Sequence, residues 1–306
     1  MQLAVNIAVL TAIYALISCG YVLIYRVSRV LSLAHGELMM VGAYLLLTTA
    51  SLTGGNPFLA IGFAAILAAV VGILIYMLLM RRMTGEMVLA AVLATIALGI
   101  VLRGALALIF TSQQQYPLDA LGLGNPALTI NLGSGFFGEM FGGVFGDASA
   151  RISTIGALLI GLTATFYSGL WLFFRHTAWG IRMRAAGQNP LLAAQRGIGL
   201  HGIYAMAWAL ATFTGGVAGM LIATDSGLDA TMATIGLKAF PAALVGGLDS
   251  LLGALLGSLT IAMAEVLMIS YVDPLLADVV PFLVLTAMLI IRPWGYFGSR
   301  EALDRV

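Results

Sequence analysis

The sequence predicts an all-α fold, a polytopic integral membrane helical bundle of about eight or nine transmembrane helices. Residues of the set AVILMFWYC make up 61% of the 306 residues, charged residues make up only 9%, and the mean hydropathy is +1.05. Soluble domains contain roughly 45–50% apolar and about 25% charged residues. The apolar residues also fall into runs of about 20, the length of a helix that crosses a bilayer. A soluble globular class is therefore excluded.

A chain of this length would suggest about two soluble domains. No long polar region separates the apolar runs, so we expect one membrane domain over residues 1–306. The formal net charge of +1 gives no reason to expect a nucleic-acid partner. Cys19 is the only cysteine and lies inside an apolar run. It therefore excludes a disulfide framework and is expected to pack in the core.

The first apolar run, 3–25, is followed rather than preceded by basic residues, which is the reverse of a cleavable signal peptide. We therefore expect a retained first helix. The second run, 31–52, ends at the turn sequence GGNP, and the third, 58–80, stops at two arginines. The fourth run, 87–110, carries Arg103 and leads into a weakly hydrophobic loop, 111–150, which has no recognisable motif.

Four more runs of apolar residues follow in the second half, at 152–174, 203–224, 251–271 and 275–291. Between them, segment 231–248 is short and contains Pro241, Gly246 and Gly247. Proline removes a helix hydrogen bond, and irregular backbone at membrane depth is tolerated only inside protein or along a cavity. We therefore expect a broken or re-entrant helix here.

Orientation follows from the positive charges, because short loops that carry Lys and Arg stay in the cytoplasm. With the N-terminus outside and about nine crossings, most of the 14 basic residues fall on one side. These are Arg26, Arg29, Arg81, Arg82, Arg175, Arg182, Arg184, Arg196, Arg292, Arg300 and Arg305. The loop 111–150 is then extracytoplasmic, whereas the loop 175–201 and the C-terminus are cytoplasmic.

The basic loop 175–201 contains a short helix signal. Asn189 followed by Pro190 is typical of a helix start, with Asn as the cap and Pro in the first turn. Gly197 supplies a stop, and the intervening residues form about two turns, roughly 10 Å, which is too short to span. Small residues, Ala193 and Ala194, are expected to be available for close contact. The segment is either a basic connector that fixes topology or a helix that docks on a soluble partner.

Three ordered motifs carry a family resemblance that extends over essentially the whole chain. They are LSLAHGELMMVGAYL at 31–45, GIRMRAAGQNPLLAAQRGI at 180–198 and GLKAFPAALVGGLDSLLGALLGSLTIAMAEVL at 236–267. Together they resemble the branched-chain amino-acid family of ABC-transporter permeases, in particular the first, H-type permease subunit. The loop 111–150 carries no part of the resemblance.

The resemblance implies a second permease subunit, two cytoplasmic ATP-binding subunits and a periplasmic solute-binding protein as partners. It also implies that 177–198 is the coupling segment, with Arg184, Asn189, Pro190, Ala193 and Gly197 as the residues that transmit ATPase movement. A phosphate-binding P-loop needs Gly-Lys-Ser/Thr, but Lys238 is the only lysine and Leu237 and Ala239 flank it. We therefore expect no cofactor in this chain, with ATP and Mg²⁺ bound by the partner ATPase.

Charged residues inside spans are rare and often functional. Glu37 is expected near the cytoplasmic start of the second span, where it either snorkels or pairs with Arg29 or His35, and Arg103 is expected to snorkel as well. His35 and Glu37 are two residues apart and do not share a helix face, so we expect no metal site. Lys238 lies in the broken segment, where the simplest role is that of a buried partner for a carboxylate.

A faint internal repeat relates 33–44 to 237–248, since each has a charge shortly before small residues. Interrupted helices in the two halves of a transporter point to a midplane substrate path. We therefore predict a translocation route lined by Gly36, Glu37, Gly42, Lys238, Phe240 and Gly246. Gly253 and Gly257 form a GxxxG face, which allows close helix approach.

The expected function is alternating-access import of branched-chain amino acids, driven by partner ATPases, with no catalytic residues in this chain. Urea, short amides and aromatic acids are alternative substrates within the same family. A self-sufficient carrier or channel is less favoured, because few carboxylates lie in the spans. An intramembrane enzyme is disfavoured too, since no nucleophile and base stand in a recognisable paired setting.

Overall fold

A computed structural model describes residues 1–85, 87–110, 113–122, 124–131 and 149–298. Helices α1 to α12 cover, in order, Gln2–Ser28, His35–Leu52, Pro57–Ile75, Val88–Phe110, Pro117–Ala120, Thr154–His176, Ala178–Gln188, Pro190–Gln195, Leu200–Ser226, Ala233–Gly246, Leu251–Tyr271 and Val280–Ile291. Helix α3 continues through a π-helical turn, Tyr76–Met80, into Arg81–Met83. The predicted all-α membrane fold is confirmed.

Six helices of the described part are long and apolar enough to cross a membrane. They are α1, α3 with its extension to Met83, α4, α6, α9 and α11. Helix α2 has 18 residues and a polar first turn, whereas α10 and α12 are shorter apolar helices of 14 and 12 residues. The chain is thus a multi-pass membrane protein, and the exact number of crossings stays a prediction.

Helices α1 and α9 form the centre of the bundle. In each, 72% of the apolar window is buried, compared with 17% in α4 and 22% in α6. Helices α4 and α6 therefore lie at the periphery, where large apolar side chains such as Leu108 and Trp171 are exposed. In a bilayer such a surface contacts lipid, so its exposure carries no cost.

Glycines allow the central helices to approach each other closely. A Cβ on Gly42 of α2 would overlap the backbone of Gly216 on α9, and one on Gly253 of α11 would overlap the carbonyl of Gly246 on α10. Gly257 meets α10 one turn further on, at the carbonyl of Ala242. The predicted GxxxG face is therefore confirmed as the contact between α10 and α11.

A two-stranded antiparallel ribbon was not predicted from the sequence. Strand β1, Ala127–Asn131, pairs with β2, Ser149–Ser153, immediately before α6. The side chain of Gln2 on α1 holds β2 through both polar groups of the Arg151 backbone, each at 2.9 Å. Most of the remaining loop 111–150 lies outside the described residues.

Two predicted helix starts are wrong by several residues. Helix α2 begins at His35 instead of 31, and α12 begins at Val280 instead of 275. In the second case Asp273 caps a separate 3₁₀ turn, Pro274–Leu276, by accepting a hydrogen bond from the Leu275 amide at 2.8 Å. Hydropathy counts these apolar residues as part of the span, although their backbone is not α-helical.

Candidate functional site

Helix α2 begins deep inside the bundle. Helix α1 ends at Ser28, and Arg29 adopts a left-handed backbone with φ 55° that turns the chain back. The ring of His35, the first residue of α2, lies against Gly20 of α1 and Gly215 of α9. Gly20 precedes the end of α1 by eight residues, roughly 12 Å along the helix. The sequence placed Glu37 near the cytoplasmic start of the second span, whereas the helix begins beside the middle of α1.

The non-helical residues 30–34 thus enter the bundle from its arginine-rich end, where α1, the extension of α3 and α6 each end beside arginines. Backbone polar groups at this depth need partners within the protein. The side chain of Thr95 on α4 accepts a hydrogen bond from the Leu33 amide at 3.1 Å, which satisfies one of them.

Helix α10 begins inside the bundle from the opposite direction. After α9 ends, Gly227 has φ 88°, and Asp229 caps the next turn by accepting hydrogen bonds from two backbone amides at 2.9 and 3.1 Å. The hydroxyl of Tyr21, a buried residue of α1, donates to the carbonyl of Gly236 at 3.1 Å. The helix has 14 residues, roughly 21 Å. It is therefore shorter than a hydrocarbon core of about 30 Å, as the prediction of a broken or re-entrant helix requires.

The first turns of α2 and α10 touch each other at a pair of glycines. A Cβ on Gly236 would overlap the Cα of Gly36, and a Cβ on Gly36 would stand 2.5 Å from the carbonyl oxygen of Ala233. Two interrupted helices thus meet in the interior, one from each half of the chain. Helix N-termini carry unpaired N–H groups and a partial positive charge, which favour negatively charged groups.

Glu37 lies one residue beyond this contact and pairs with Arg103 of α4. The guanidinium Nη2 and the carboxylate Oε1 are 2.6 Å apart, and the side chains are 48% and 13% exposed for Arg103 and Glu37. The expected partners of Glu37, Arg29 and His35, are therefore wrong, because Arg103 takes their place. The pair joins the peripheral α4 to the start of α2.

Lys238 stands at the centre of a second charged cluster. Its ammonium lies 3.2 Å from Glu265 on α11 and 2.5 Å from Asp278 in the turn before α12. The hydroxyl of Tyr14 on α1 donates to the other Glu265 oxygen at 2.6 Å. The expectation of a carboxylate partner for Lys238 is confirmed. Glu265 and Asp278 differ sharply, because their side chains are 6% and 80% exposed.

The other residues of the predicted route lie in helix contacts. Phe240 is partly buried and packs against the ring of Tyr21, with 5.5 Å between ring centroids. Gly42 and Gly246 sit at the crossings of α2 with α9 and of α10 with α11. The structure therefore brings Gly36, Glu37, Lys238 and Phe240 within about one turn of the contact between α2 and α10, while Gly42 and Gly246 are further along. Their role in a route stays a prediction.

The segment between α6 and α9 forms two short helices, α7 and α8, and α8 has the start and stop signals predicted from the sequence. Thr177 caps α7 by accepting from the Gly180 amide at 3.0 Å, and Asn189 caps α8 by accepting from the Leu192 amide at 3.1 Å. Pro190 occupies the first turn of α8, and Gly197 has φ 78° after its end. The local start and stop are thus confirmed.

The surface of α8 differs from the prediction. Ala193 is only 5% exposed, whereas Leu191 and Leu192 are 69% and 56% exposed. Ala193 is therefore packed against its own chain and is not available for close contact with a partner, although Ala194 is exposed. The exposed surface of α8 therefore contains two leucines, Leu191 and Leu192.

Arg29 links this segment to the rest of the bundle, which the sequence did not reveal. Its Nε donates to the carbonyl of Gly187 at the end of α7 at 3.1 Å, and its Nη1 pairs with Asp249 at 2.6 Å. Asp249 lies in the turn between α10 and α11. One side chain thus joins α1, α7 and that turn. Its only signal is the charge itself, because its partners are far away in sequence.

The described residues contain no group of three or more His, Cys, Asp or Glu side chains that would hold a metal ion. What they do contain is a glycine-packed bundle, two interrupted helices that meet inside it, intramembrane ion pairs and a small surface helix at the arginine-rich end. These features are typical of a membrane transport protein.

The chain belongs to the family described as branched-chain amino acid transport system / permease component, which matches residues 3–289. It is 28% identical over 311 residues to the high-affinity branched-chain amino acid transport system permease protein LivH of Escherichia coli, covering 98% of this chain and 96% of that protein. BraD of Pseudomonas aeruginosa, with the same description, is 28% identical, again over 98% and 96%. A probable LivH of Methanocaldococcus jannaschii is 28% identical over 92% of this chain and 88% of its own length. The predicted family and the predicted class of function, an ABC importer permease, are confirmed.

Proposed function

We propose that this chain is the first permease subunit of an importer for branched-chain amino acids in a bacterial inner membrane. The observation that carries the proposal is the family match over residues 3–289, together with relatives whose names specify these solutes and which this chain covers almost completely. In this proposal residues 1–306 form one permease domain, with the N-terminus outside and both the loop 175–201 and the C-terminus in the cytoplasm.

The substrate route passes the meeting point of α2 and α10 in this proposal. The contact between Gly36 and Gly236 supports it, because helix N-termini at membrane depth favour the carboxylate of an amino acid. Glu37 and Lys238 stand within one turn of that contact and are each already paired. They would therefore set the local field without adding an unpaired charge to the route.

ATP hydrolysis is supplied by two partner subunits that bind ATP and Mg²⁺, and this chain contributes no catalysis. The coupling contact is α8, where Leu191 and Leu192 would enter a groove on the ATPase. Arg184, Asn189, Pro190 and Gly197 would fix the orientation of α7 and α8, and Ala193 would support them from inside. A second permease subunit and a periplasmic solute-binding protein complete the assembly.

Uptake into proteoliposomes tests the function. The vesicles contain this chain, the neighbouring permease and its ATPases, and the solute-binding protein is added outside with labelled leucine or urea. We expect leucine uptake that requires both ATP and the binding protein. Equal uptake of leucine by this chain alone, without ATP, would overturn the proposal in favour of a carrier or channel. ATP-dependent uptake of urea, short amides or aromatic acids in place of leucine would retain the importer and replace the substrate.

The coupling surface is tested with Leu191→Asp, which places a charge on the exposed face of α8. We expect ATPase subunits to associate more weakly and uptake per ATP hydrolysed to fall. Leu52→Asp is the matched control, because Leu52 is 78% exposed but ends α2 at the opposite end of the bundle. Equal coupling in the two variants would count against α8 as the contact.

A further inference from the structure

A cavity of about 700 Å³ lies between α6 and α11 at the arginine-rich end of the bundle. Arg26, near the end of α1, and Arg184, in the middle of α7, also line it. None of the residues assigned above to the substrate route lines it. The cavity is therefore separate from that route, and we call it the α6–α11 groove.

Three arginines line this groove. Arg26 and Arg175 lie over aromatic rings, with guanidinium carbons 5.0 Å from the centroid of Phe174 and 4.9 Å from that of Trp171. Arg184 is close enough to Arg26 to repel its charge. Asp249 is the one carboxylate among the lining residues, and it is also held by Arg29 at 2.6 Å. The lining of the groove therefore has an excess of positive charge.

The same groove continues into the apolar part of the bundle. Tyr167 precedes Arg175 on α6 by eight residues, roughly 12 Å along the helix. On the facing wall, Leu251, Leu252 and Leu255 line the first turns of α11. Leu252 is 61% exposed, and Leu172 on the α6 side is 50% exposed. The groove thus combines three arginines with an apolar lining from α6 and α11.

We propose that the α6–α11 groove binds an anionic phospholipid. Guanidinium groups form strong charge-assisted hydrogen bonds with phosphate, and basic pockets between transmembrane helices at this interface suit anionic headgroups. An anion here would also relieve the repulsion between Arg26 and Arg184. The apolar walls fit acyl chains, and a soluble protein would not reach them, because they lie beside spanning segments. The charge and the shape together favour a lipid over a soluble acidic partner.

Binding is tested with the purified full-length chain by native mass spectrometry, in micelles with phosphatidylglycerol or phosphatidylcholine of identical acyl chains. The variant Arg175→Gln/Arg184→Gln removes two charges from the groove. The matched control Arg81→Gln/Arg82→Gln removes two exposed charges from the extension of α3, and neither lines the groove. We expect the first variant to bind phosphatidylglycerol roughly tenfold to thirtyfold more weakly than the unaltered chain, and the control to bind normally.

A second variant, Leu252→Trp, fills the apolar part of the groove beside α11 and leaves every arginine in place. It is expected to release the phospholipid as well, since the acyl chains lose their space. Equal loss of phosphatidylglycerol in the groove variant and in the Arg81→Gln/Arg82→Gln control would overturn the proposal. So would equal retention of phosphatidylcholine, or binding of inorganic phosphate that displaces phosphatidylglycerol, which would identify an anion site without lipid specificity.

Discussion

Replacing Lys238 with methionine should destabilise the bundle more than any other single change in its charged cluster. The substitution keeps the length and much of the volume of the side chain, but it removes the ammonium that contacts Glu265 and Asp278. Glu265 is then left with a side chain that is 6% exposed and with Tyr14 as its remaining hydrogen-bond donor in the described structure. A buried charge that loses its partner costs about 3–5 kcal/mol.

We expect about 3 kcal/mol for Lys238→Met, the lower end of that range, because Glu265 keeps the Tyr14 hydroxyl as a hydrogen-bond donor. Asp278→Asn should cost only about 0–1 kcal/mol, since the Asp278 side chain is 80% exposed and Lys238 retains Glu265. In the double variant Lys238→Met/Glu265→Gln no uncompensated charge is buried. It should therefore be less destabilised than the sum of the two single variants.

Equilibrium unfolding in mixed lipid and detergent micelles, followed by circular dichroism of the helices, measures the change in unfolding free energy under one condition. It is measured for the three single variants, Lys238→Met, Glu265→Gln and Asp278→Asn, and for the double variant. The order Lys238→Met, then Glu265→Gln, then Asp278→Asn supports a buried pair reinforced by an exposed carboxylate. The reasoning fails if Asp278→Asn costs as much as Lys238→Met, because the solvent-exposed contact would then carry the cluster. Strict additivity in the double variant would also refute it.

Two further predictions concern packing and access. Gly42→Val should lower stability by about 1–3 kcal/mol or more, because its side chain would overlap the backbone of α9, whereas Gly62→Val meets no neighbouring atom and should be nearly neutral in the same unfolding assay. In a Cys19→Ala background of the assembled importer, Phe240→Cys should react with a small water-soluble thiol reagent, and leucine and ATP should change the rate of that reaction. The control is Leu283→Cys, on an exposed apolar face of α12. Its reaction rate should not respond to leucine or ATP. A Phe240→Cys variant inert in every state would remove α10 from the route.

Helix existence was largely predictable from the sequence, and helix depth was not. All eight predicted apolar runs end within about three residues of an observed helix end, because a 20-residue apolar run must be helical in a bilayer. The start of α2 shows the limit. Residues 30–34 are mostly apolar and were counted as part of the span, yet the helix begins only at His35, beside the middle of α1. Hydropathy measures transfer to lipid, so it does not distinguish a non-helical buried segment such as this one from a helix.

Tertiary pairing accounts for most of the remaining differences at the candidate site. Arg103 and Glu37 are 66 positions apart, and Arg29 and Asp249 are 220 apart, so no helical periodicity relates them. Lys238 was assigned a carboxylate partner on energetic grounds alone, and the structure shows two, Glu265 and Asp278. Capping signals performed better, because Asn189, Pro190 and Gly197 act within one or two turns and need no tertiary information.

The contacts of Arg29 suggest how α8 and the interior are connected in the proposed mechanism. Arg29 holds the end of α7 and the turn that follows α10, so a displacement of the coupling segment acts on both at once. Helix α10 runs from that turn to the contact with Gly36, where Gly236 precedes Gly246 by ten residues, roughly 15 Å along the helix. Its contact with α11 is formed by backbone at Gly246 and Gly253 and leaves no room for compression. A displacement of the turn is therefore expected to be transmitted along α10, together with α11, and to separate the first turn of α10 from that of α2.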